Sequence, residues 1–137
     1  LSVQNIAWQT VAGRLLVMQL YKSASRSRGV KLEDLYSPAS YQSHFEDYLK
    51  RGLYYKDFLK HYSRQEIAMA ASFINRERDF TYIYSSVLAL HKRYLLNPNK
   101  VVAELPQEMY LTVALFLAIP EPKEKRLEFV RALYEAT

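Results

Sequence analysis

The sequence predicts a mainly α fold: one compact helical domain spanning residues 1–137, with about six or seven helices. Apolar residues recur at spacings of three and four along most of the chain, which is the period of one helix face. No stretch of useful length alternates apolar and polar residues, so a sheet is not expected. Half of the residues are hydrophobic, which suits a single core in a chain of this length.

The first helix is predicted from about residue 4 to residue 28. Its apolar residues fall on one face and are expected to point towards the core: Ala7, Trp8, Val11, Leu15, Met18 and Tyr21. Gly29 suits the position just past a helix, where a left-handed backbone conformation is common. The helix should therefore end close to Arg28.

Three shorter helices are predicted between residues 40 and 74. Ser40 can cap the first of them, which Gly52 ends, and a brief helix follows over about residues 56–62. Ser63-Arg64-Gln65-Glu66 then has the pattern of a capping box, in which the Ser oxygen and the Glu carboxylate each accept a backbone N–H. The helix that it opens should bury Ile67, Ala70, Ala71, Phe73 and Ile74.

The following segment is predicted as a charged surface turn over residues 75–79 and a helix over about residues 81–95. That helix should turn Tyr84, Val87, Leu88 and His91 inward. Asn97-Pro98-Asn99-Lys100 predicts a turn, because Asn tolerates left-handed geometry and the residue before Pro avoids helical geometry. The only β structure that the sequence allows is at most a short β-hairpin near residues 95–104.

Two further helices are predicted at the carboxyl end. Pro106 suits the first position of a helix, where its missing N–H costs nothing, and this helix should run to about residue 118. It is apolar nearly all round and should be buried on most sides. The last helix, after Pro122, should bury Leu127, Val130, Leu133 and Tyr134.

Composition excludes several kinds of chemistry. The chain has no Cys, so it can carry no disulfide, thiolate metal site, Cys nucleophile or thiyl radical of its own. His44, His61 and His91 lie far apart without a convincing set of partner ligands, so no metal site is expected. The longest apolar run falls short of the roughly 20 residues that cross a bilayer. We therefore expect a cytoplasmic protein.

The charge leaves a second class of function open. Nineteen Lys and Arg against fourteen Asp and Glu give a net charge of +5, which could favour a polyanion. Lys22, Arg26, Arg28 and Lys31 form a local cluster, which fits either a solvated helix end or a phosphate site. The twelve Tyr could stack on bases, but most fall on inward helix faces and are better explained by core packing. A free-standing basic module that binds nucleic acid or a partner protein is thus the alternative function, although nucleic acid is not the expected partner.

An ordered set of short motifs resembles a known family. In chain order they are Ala12-Gly13-Arg14-Leu15, Leu20-Tyr21-Lys22, Tyr62-Ser63 with Glu66, Arg78-Asp79-Phe80-Thr81-Tyr82, Tyr94-Leu95-Leu96, Pro106-Gln107-Glu108-Met109 and Ala132-Leu133-Tyr134-Glu135. Each is weak alone, but the order and spacing of the set are specific. The chain resembles the helical region near the amino end of the ribonucleotide reductase large chain, of the aerobic class I type.

The resemblance implies part of an enzyme that reduces ribonucleotides to deoxyribonucleotides for DNA synthesis. In that family the catalytic cysteines lie on a ten-stranded barrel that follows this region, and a small subunit supplies the metal-radical centre. The partners implied are therefore the remainder of the large chain and the small subunit, and a homo-oligomer is also open. No cofactor is expected in this chain, which should be inactive alone. We expect an excised domain or a split-gene product that lacks the barrel and the ATP cone.

One binding residue is implied by the same resemblance. In family members with an ATP-binding cone ahead of this region, a Lys at the position of Lys22 contacts the effector nucleotide, ATP or dATP. A Lys near the end of a helix can reach a phosphate as a point charge. Lys22 is therefore the candidate effector-binding residue, and no catalytic or metal-binding residue is expected.

Overall fold

The computed structural model describes residues 3–82, 84–95 and 104–137. Within these ranges the chain forms helices and no strand, which confirms the mainly α prediction. The α-helices are α1 (Val3–Arg28), α2 (Pro38–Lys50), α3 (Phe58–His61), α4 (Arg64–Ala71), α5 (Tyr84–Ala89), α6 (Pro106–Leu117) and α7 (Arg126–Glu135). Turns of 3₁₀ helix cover Leu32–Asp34, Arg76–Thr81 and Lys123–Lys125, and Leu90–Tyr94 is π-helical. The hairpin expected near residues 95–104 falls mainly on residues outside the described ranges.

The chain folds as two compact units. The first contains Leu1–Leu35 and Asn75–Gln107, and the second contains Tyr36–Ile74 and Glu108–Thr137. The boundary within α6 falls between Gln107 and Glu108. Among the described residues, no helix has both the length and the apolar character needed to cross a bilayer.

In the first unit, α1 packs against α5 and the Arg76–Thr81 turn. The face that it buries carries Val17, Leu20, Tyr21 and Ala24. Gly29 has a φ of +66°, the left-handed conformation predicted at the end of α1. The first helix therefore has close to the predicted bounds, and Tyr21 is buried as expected, but the rest of its buried face differs from the prediction.

The expected inner residues Trp8, Val11 and Leu15 are instead 70%, 53% and 64% exposed. The prediction was wrong because α1 is apolar on two faces. Residues 8, 11 and 15 lie on one face and residues 17, 20, 21 and 24 lie on another, and the helical period alone does not say which face is covered.

The second helical stretch of the first unit starts later than predicted and ends close to the predicted residue, because Leu90–Tyr94 continues α5 as π-helix. α5 begins at Tyr84, and Gln9 of α1 supports its first turn by accepting the Ser85 N–H at 3.3 Å. Val87 is buried as expected, whereas Tyr84 is exposed and Leu88 and His91 are partly exposed. The orientation predicted for Tyr84 was therefore wrong.

In the second unit, α2 starts earlier than the cap predicted at Ser40. The Ser37 hydroxyl accepts the Ser40 N–H at 3.1 Å, and Pro38 occupies the start of the helix. Ser37 is the better cap because it places Pro38 where no N–H is needed. Gly52, with a φ of +74°, follows the helix as expected.

The capping box at the start of α4 is confirmed. The Ser63 hydroxyl accepts the Glu66 N–H at 3.0 Å, and the Glu66 carboxylate accepts the Ser63 N–H at 2.9 Å. α4 packs against α2 and α7, and it buries Ile67, Ala70 and Ala71.

The two carboxyl-terminal helices begin near their predicted positions. Pro106 opens α6 as expected, and the helix is buried on most sides, although Val113, Phe116 and Leu117 are exposed along one face. In α7, Val130 and Tyr134 are buried, whereas Leu127 and Leu133 are only partly covered.

Candidate functional site

A fully buried carboxylate lies at the centre of the first unit. Asp79 belongs to the Arg76–Thr81 turn and has no exposed surface. The Tyr21 hydroxyl of α1 donates a hydrogen bond to Oδ2 of Asp79. The Gln107 side-chain amide, at the start of α6, donates to Oδ1 at 2.9 Å. Asp79 thus joins three segments that lie far apart in sequence.

Further side chains surround this carboxylate. The Gln107 amide also donates to the Tyr82 hydroxyl at 3.2 Å. The Arg76 guanidinium lies 4.8 Å from the centre of the Tyr21 ring and donates to the Leu32 carbonyl at 2.8 Å. The Phe80 ring meets Tyr21 edge to face, with centroids 5.9 Å apart. A cation over the ring and a perpendicular neighbour are both favourable arrangements for Tyr21.

The sequence prediction of a surface turn over residues 75–79 was wrong for Asp79. The run Arg76-Glu77-Arg78-Asp79 has the charge density of a solvated loop. It instead forms a 3₁₀ helix, begun by Asn75, whose side chain accepts the Glu77 N–H at 3.1 Å. Glu77 is exposed, while Asp79 is directed inward to Tyr21 and Gln107. The usable signal in the sequence was the set of aromatic residues directly after Asp79.

Two buried tyrosines have perturbed acidity. Burial raises the pKa of Tyr21, and the negative charge of Asp79 raises it further. In the second unit, burial raises the pKa of Tyr62 to about 12, although the nearby Arg126 opposes the shift. Tyr62 donates to the Leu115 carbonyl at 2.6 Å, and the Arg126 guanidinium lies 5.6 Å from its ring centre.

These shifts predict a loss of stability in alkali. Since Tyr ionises near pH 10 in an unfolded chain and later in the folded one, the unfolded state binds fewer protons above pH 10. The contribution of these tyrosines to stability should therefore be constant below about pH 10 and fall as the pH rises towards about 12. Urea unfolding between pH 8 and 11.5 measures this, with ionisation followed by absorbance near 295 nm. The Tyr21→Phe variant should lose less stability over the same range, and an equal loss would contradict the assignment.

The buried network links separate segments of the first unit through hydrogen bonds. The side chains in it are held by hydrogen bonds, and Asp79 accepts one at each oxygen. Residues 3–82, 84–95 and 104–137 contain no group of three His, Cys, Asp or Glu side chains able to hold a metal ion. Within the motif Arg78–Tyr82, Asp79 connects α1 to the start of α6.

The candidate effector residue lies on the surface. The Lys22 side chain is exposed near the end of α1, and Arg26 is exposed one helical turn further on. Arg28 is partly buried, whereas Lys31 is exposed beyond the helix. A local hydrogen bond lies at the end of α1, where the Ser25 hydroxyl donates to the Val30 carbonyl. Lys22 is thus positioned to reach an anion in solvent or on a partner.

Comparison with known proteins gives the chain a clear set of relatives. Residues 78–137 match the ribonucleotide reductase all-alpha domain. The chain is 38% identical over 129 residues to the ribonucleoside-diphosphate reductase subunit alpha of Synechocystis, with 94% of this chain and 15% of that protein covered. It is 30% identical over 132 residues to subunit alpha of reductase 1 of Escherichia coli, with 94% and 16% covered.

A relative from a bacteriophage has a similar sequence identity and coverage. The chain is 31% identical over 138 residues to subunit alpha of bacteriophage T4, and the match covers 99% of this chain and 17% of that protein. The chain thus spans about 15% of the length of the curated relatives it matches, in their amino-terminal region.

Proposed function

Because this chain belongs to the family of ribonucleotide reductase large chains, we propose that it acts as the amino-terminal helical region of a ribonucleoside-diphosphate reductase. In this role it supports the reduction of ribonucleotides to deoxyribonucleotides for DNA synthesis. The observation that carries the proposal is the match to reductase alpha subunits over more than nine tenths of the chain. These relatives favour the reductase over the alternative, a free-standing basic module that binds nucleic acid or a partner protein.

The chemistry belongs to other parts of the assembly. This chain has no Cys, so the thiols that the reaction requires come from a Cys-bearing catalytic barrel in the remainder of the large chain. The small subunit contributes the metal-radical centre, and ATP and dATP act as effectors of the whole enzyme. The assembly works in the cytoplasm. Within the assembly the 137 residues act as one helical region that is inactive alone. Its buried Asp79 holds α1 and the start of α6 together through hydrogen bonds.

Exposed apolar side chains in each unit favour a role as a scaffold that other protein covers. In the first unit, Trp8, Val11 and Leu15 form an exposed apolar row on α1. In the second unit, Val113, Phe116 and Leu117 are exposed on α6. Rows of this kind are costly in solvent and are typical of surfaces covered by other protein. We assign the α6 row to contact with the remainder of the large chain.

Complementation tests the proposed function. The chain is combined with a Cys-bearing remainder of a reductase large chain and with the small subunit, and deoxyribonucleoside diphosphate formation is measured with a dithiol reductant. We expect product only when all three components are present. A remainder that is fully active without this chain would contradict the proposal, as would a complete mixture without activity.

Matched variants make this experiment sharper. Asp79→Ala removes the buried acceptor of the first unit and should abolish complementation. Asp47→Ala changes the same residue type at a half-exposed position of α2, where the carboxylate pairs with Arg51, and should complement fully. Equal behaviour of the two variants would show that the fold of the first unit is irrelevant to the activity.

Lys22 gives a separate prediction about effector control. If it contacts the effector phosphates, Lys22→Ala should shift the concentration of dATP or ATP needed to change the rate by about 5–150-fold, the usual range of allosteric coupling. The shift is measured by titrating each nucleotide into a reductase whose large chain carries an ATP cone ahead of this region. Lys31→Ala, which removes a second exposed Lys of the same cluster, serves as the control and should leave the titration unchanged. Identical titration curves for both variants and the unmodified chain would show that Lys22 does not contact the effector.

A further inference from the structure

Three buried titratable side chains meet in the second unit. The Tyr54 hydroxyl and Nε2 of His44 are 2.7 Å apart, within hydrogen-bond distance. The carboxylate oxygen Oε1 of Glu108 lies 3.9 Å from the same nitrogen. The side chains of His44 and Glu108 are 1% and 0% exposed, so the phenol and the carboxyl group both approach the imidazole nitrogen away from water.

These groups lie within a continuous set of aromatic contacts. The rings of Tyr48 and His44 are 4.2 Å apart between centroids, and those of Tyr48 and Tyr54 are 5.4 Å apart. Tyr54 also contacts Phe58 at 6.5 Å, and Phe58 contacts Tyr55 at 5.6 Å. Tyr55 is exposed, so ring contacts lead from Tyr54 to solvent.

We propose that Tyr54 is a one-electron oxidation site whose phenolic proton is taken up by His44. A one-electron oxidant at the surface, such as an organic radical or a high-valent metal complex, removes one electron from the phenol. The O–H bond breaks, and its proton forms a new bond to Nε2 of His44, which leaves a neutral tyrosyl radical and an imidazolium. The oxidant is reduced by one electron, and a later electron donor reverses both transfers.

The geometry favours this step at Tyr54. A proton released inside a protein needs a base within hydrogen-bond reach, because an unpaired buried charge is very costly. The imidazole meets this need when its resting proton is on Nδ1, and the imidazolium then formed lies beside the Glu108 carboxyl group. The attraction between the imidazolium and a carboxylate at this distance is stronger in the protein interior than the same attraction would be in water.

Two other buried tyrosines of the second unit form hydrogen bonds to weaker proton acceptors. The Tyr41 hydroxyl pairs with the Thr112 hydroxyl at 2.7 Å, and Tyr62 donates to the Leu115 carbonyl. Neither a hydroxyl nor a carbonyl is a base at neutral pH. In the first unit Tyr21 donates to Asp79, and a carboxylate accepts a proton less readily than an imidazole. Among Tyr21, Tyr41, Tyr54 and Tyr62, Tyr54 is therefore the expected resting place of the oxidising equivalent.

The test uses photogenerated tris(bipyridine)ruthenium(III) as the oxidant and freeze-quenched electron paramagnetic resonance as the readout. The unmodified protein should give a tyrosyl signal that is lost in Tyr54→Phe and kept in the matched variants Tyr62→Phe and Tyr21→Phe. His44→Gln should form the signal about 100-fold more slowly, the lower end of the contribution of a positioned base. Formation in the unmodified protein should also be slower in heavy water.

The outcomes that overturn the proposal are equally specific. A signal that survives Tyr54→Phe, or that follows Tyr21→Phe instead, places the site elsewhere. A rate that is unchanged in heavy water and in His44→Gln shows that the triad is only structural. Far-UV circular dichroism confirms that each variant is folded, and the heavy-water comparison needs no variant at all.

Discussion

Asp79→Ala is expected to be among the most destabilising single substitutions in the first unit, with a loss of about 2–5 kcal/mol in the free energy of unfolding. The buried carboxylate accepts hydrogen bonds from Tyr21 and Gln107, which reside on α1 and α6. Each buried donor that loses its acceptor costs about 1–3 kcal/mol, because it gave up water on folding. Since whole domains are stable by only about 5–15 kcal/mol, the variant should be close to unfolding at physiological temperature.

Urea denaturation followed by circular dichroism measures this effect. Asp47→Ala is the control, because its carboxylate pairs with Arg51 at 3.2 Å on a half-exposed surface and should contribute less than about 1 kcal/mol. Tyr21→Phe removes one partner and keeps the ring, so its cost should be smaller than that of Asp79→Ala. If Tyr21→Phe and Asp79→Ala act through the same bond, the double variant should be less destabilised than the sum of the two. Strict additivity would show that the contact has no energetic weight.

The elements that local chemistry specifies were predictable from sequence. The capping box of Ser63 and Glu66, the helix start at Pro106 and the helix ends near Gly29 and Gly52 each depend on a few neighbouring residues. Hydrogen bonds within one turn, a missing N–H and a positive φ are fixed by the residue types themselves. The helical class follows for the same reason, because the apolar period is read locally.

The parts that depend on contacts far apart in sequence were not predictable. Asp79 lies in a charged run, and only the approach of Tyr21 and Gln107 makes its burial favourable. The helical period does not distinguish the two apolar faces of α1. The face with Val17 is the buried one because α5 packs on α1. In the same way, nothing near His44 in the sequence indicates that Tyr54 and Glu108 lie beside it.

Phe58→Ala should have the largest effect in the second unit, a loss of about 3–5 kcal/mol. Phe58 opens α3 and is 1% exposed, and its ring lies 5.3 Å from Phe45 and 5.6 Å from Tyr55 between centroids. Truncation removes a large buried ring and leaves a cavity, which the surrounding side chains can fill only in part because protein interiors are closely packed.

The same chemical change at Phe129 separates a cavity from a general loss of apolar surface. Phe129 lies on α7 and is 40% exposed, so Phe129→Ala should cost less than about 1 kcal/mol. Phe58→Leu keeps most of the buried volume and should cost much less than the alanine variant, about 1.5 kcal/mol or less. Urea midpoints and near-ultraviolet circular dichroism of the tyrosines report the two effects.

Because Phe58 touches Tyr54, loss of the near-ultraviolet signal in Phe58→Ala but not in Phe58→Leu would tie ring packing to the geometry of the His44 contact. Equal losses for Phe58→Ala and Phe129→Ala would instead mean that the aromatic cluster is loosely packed.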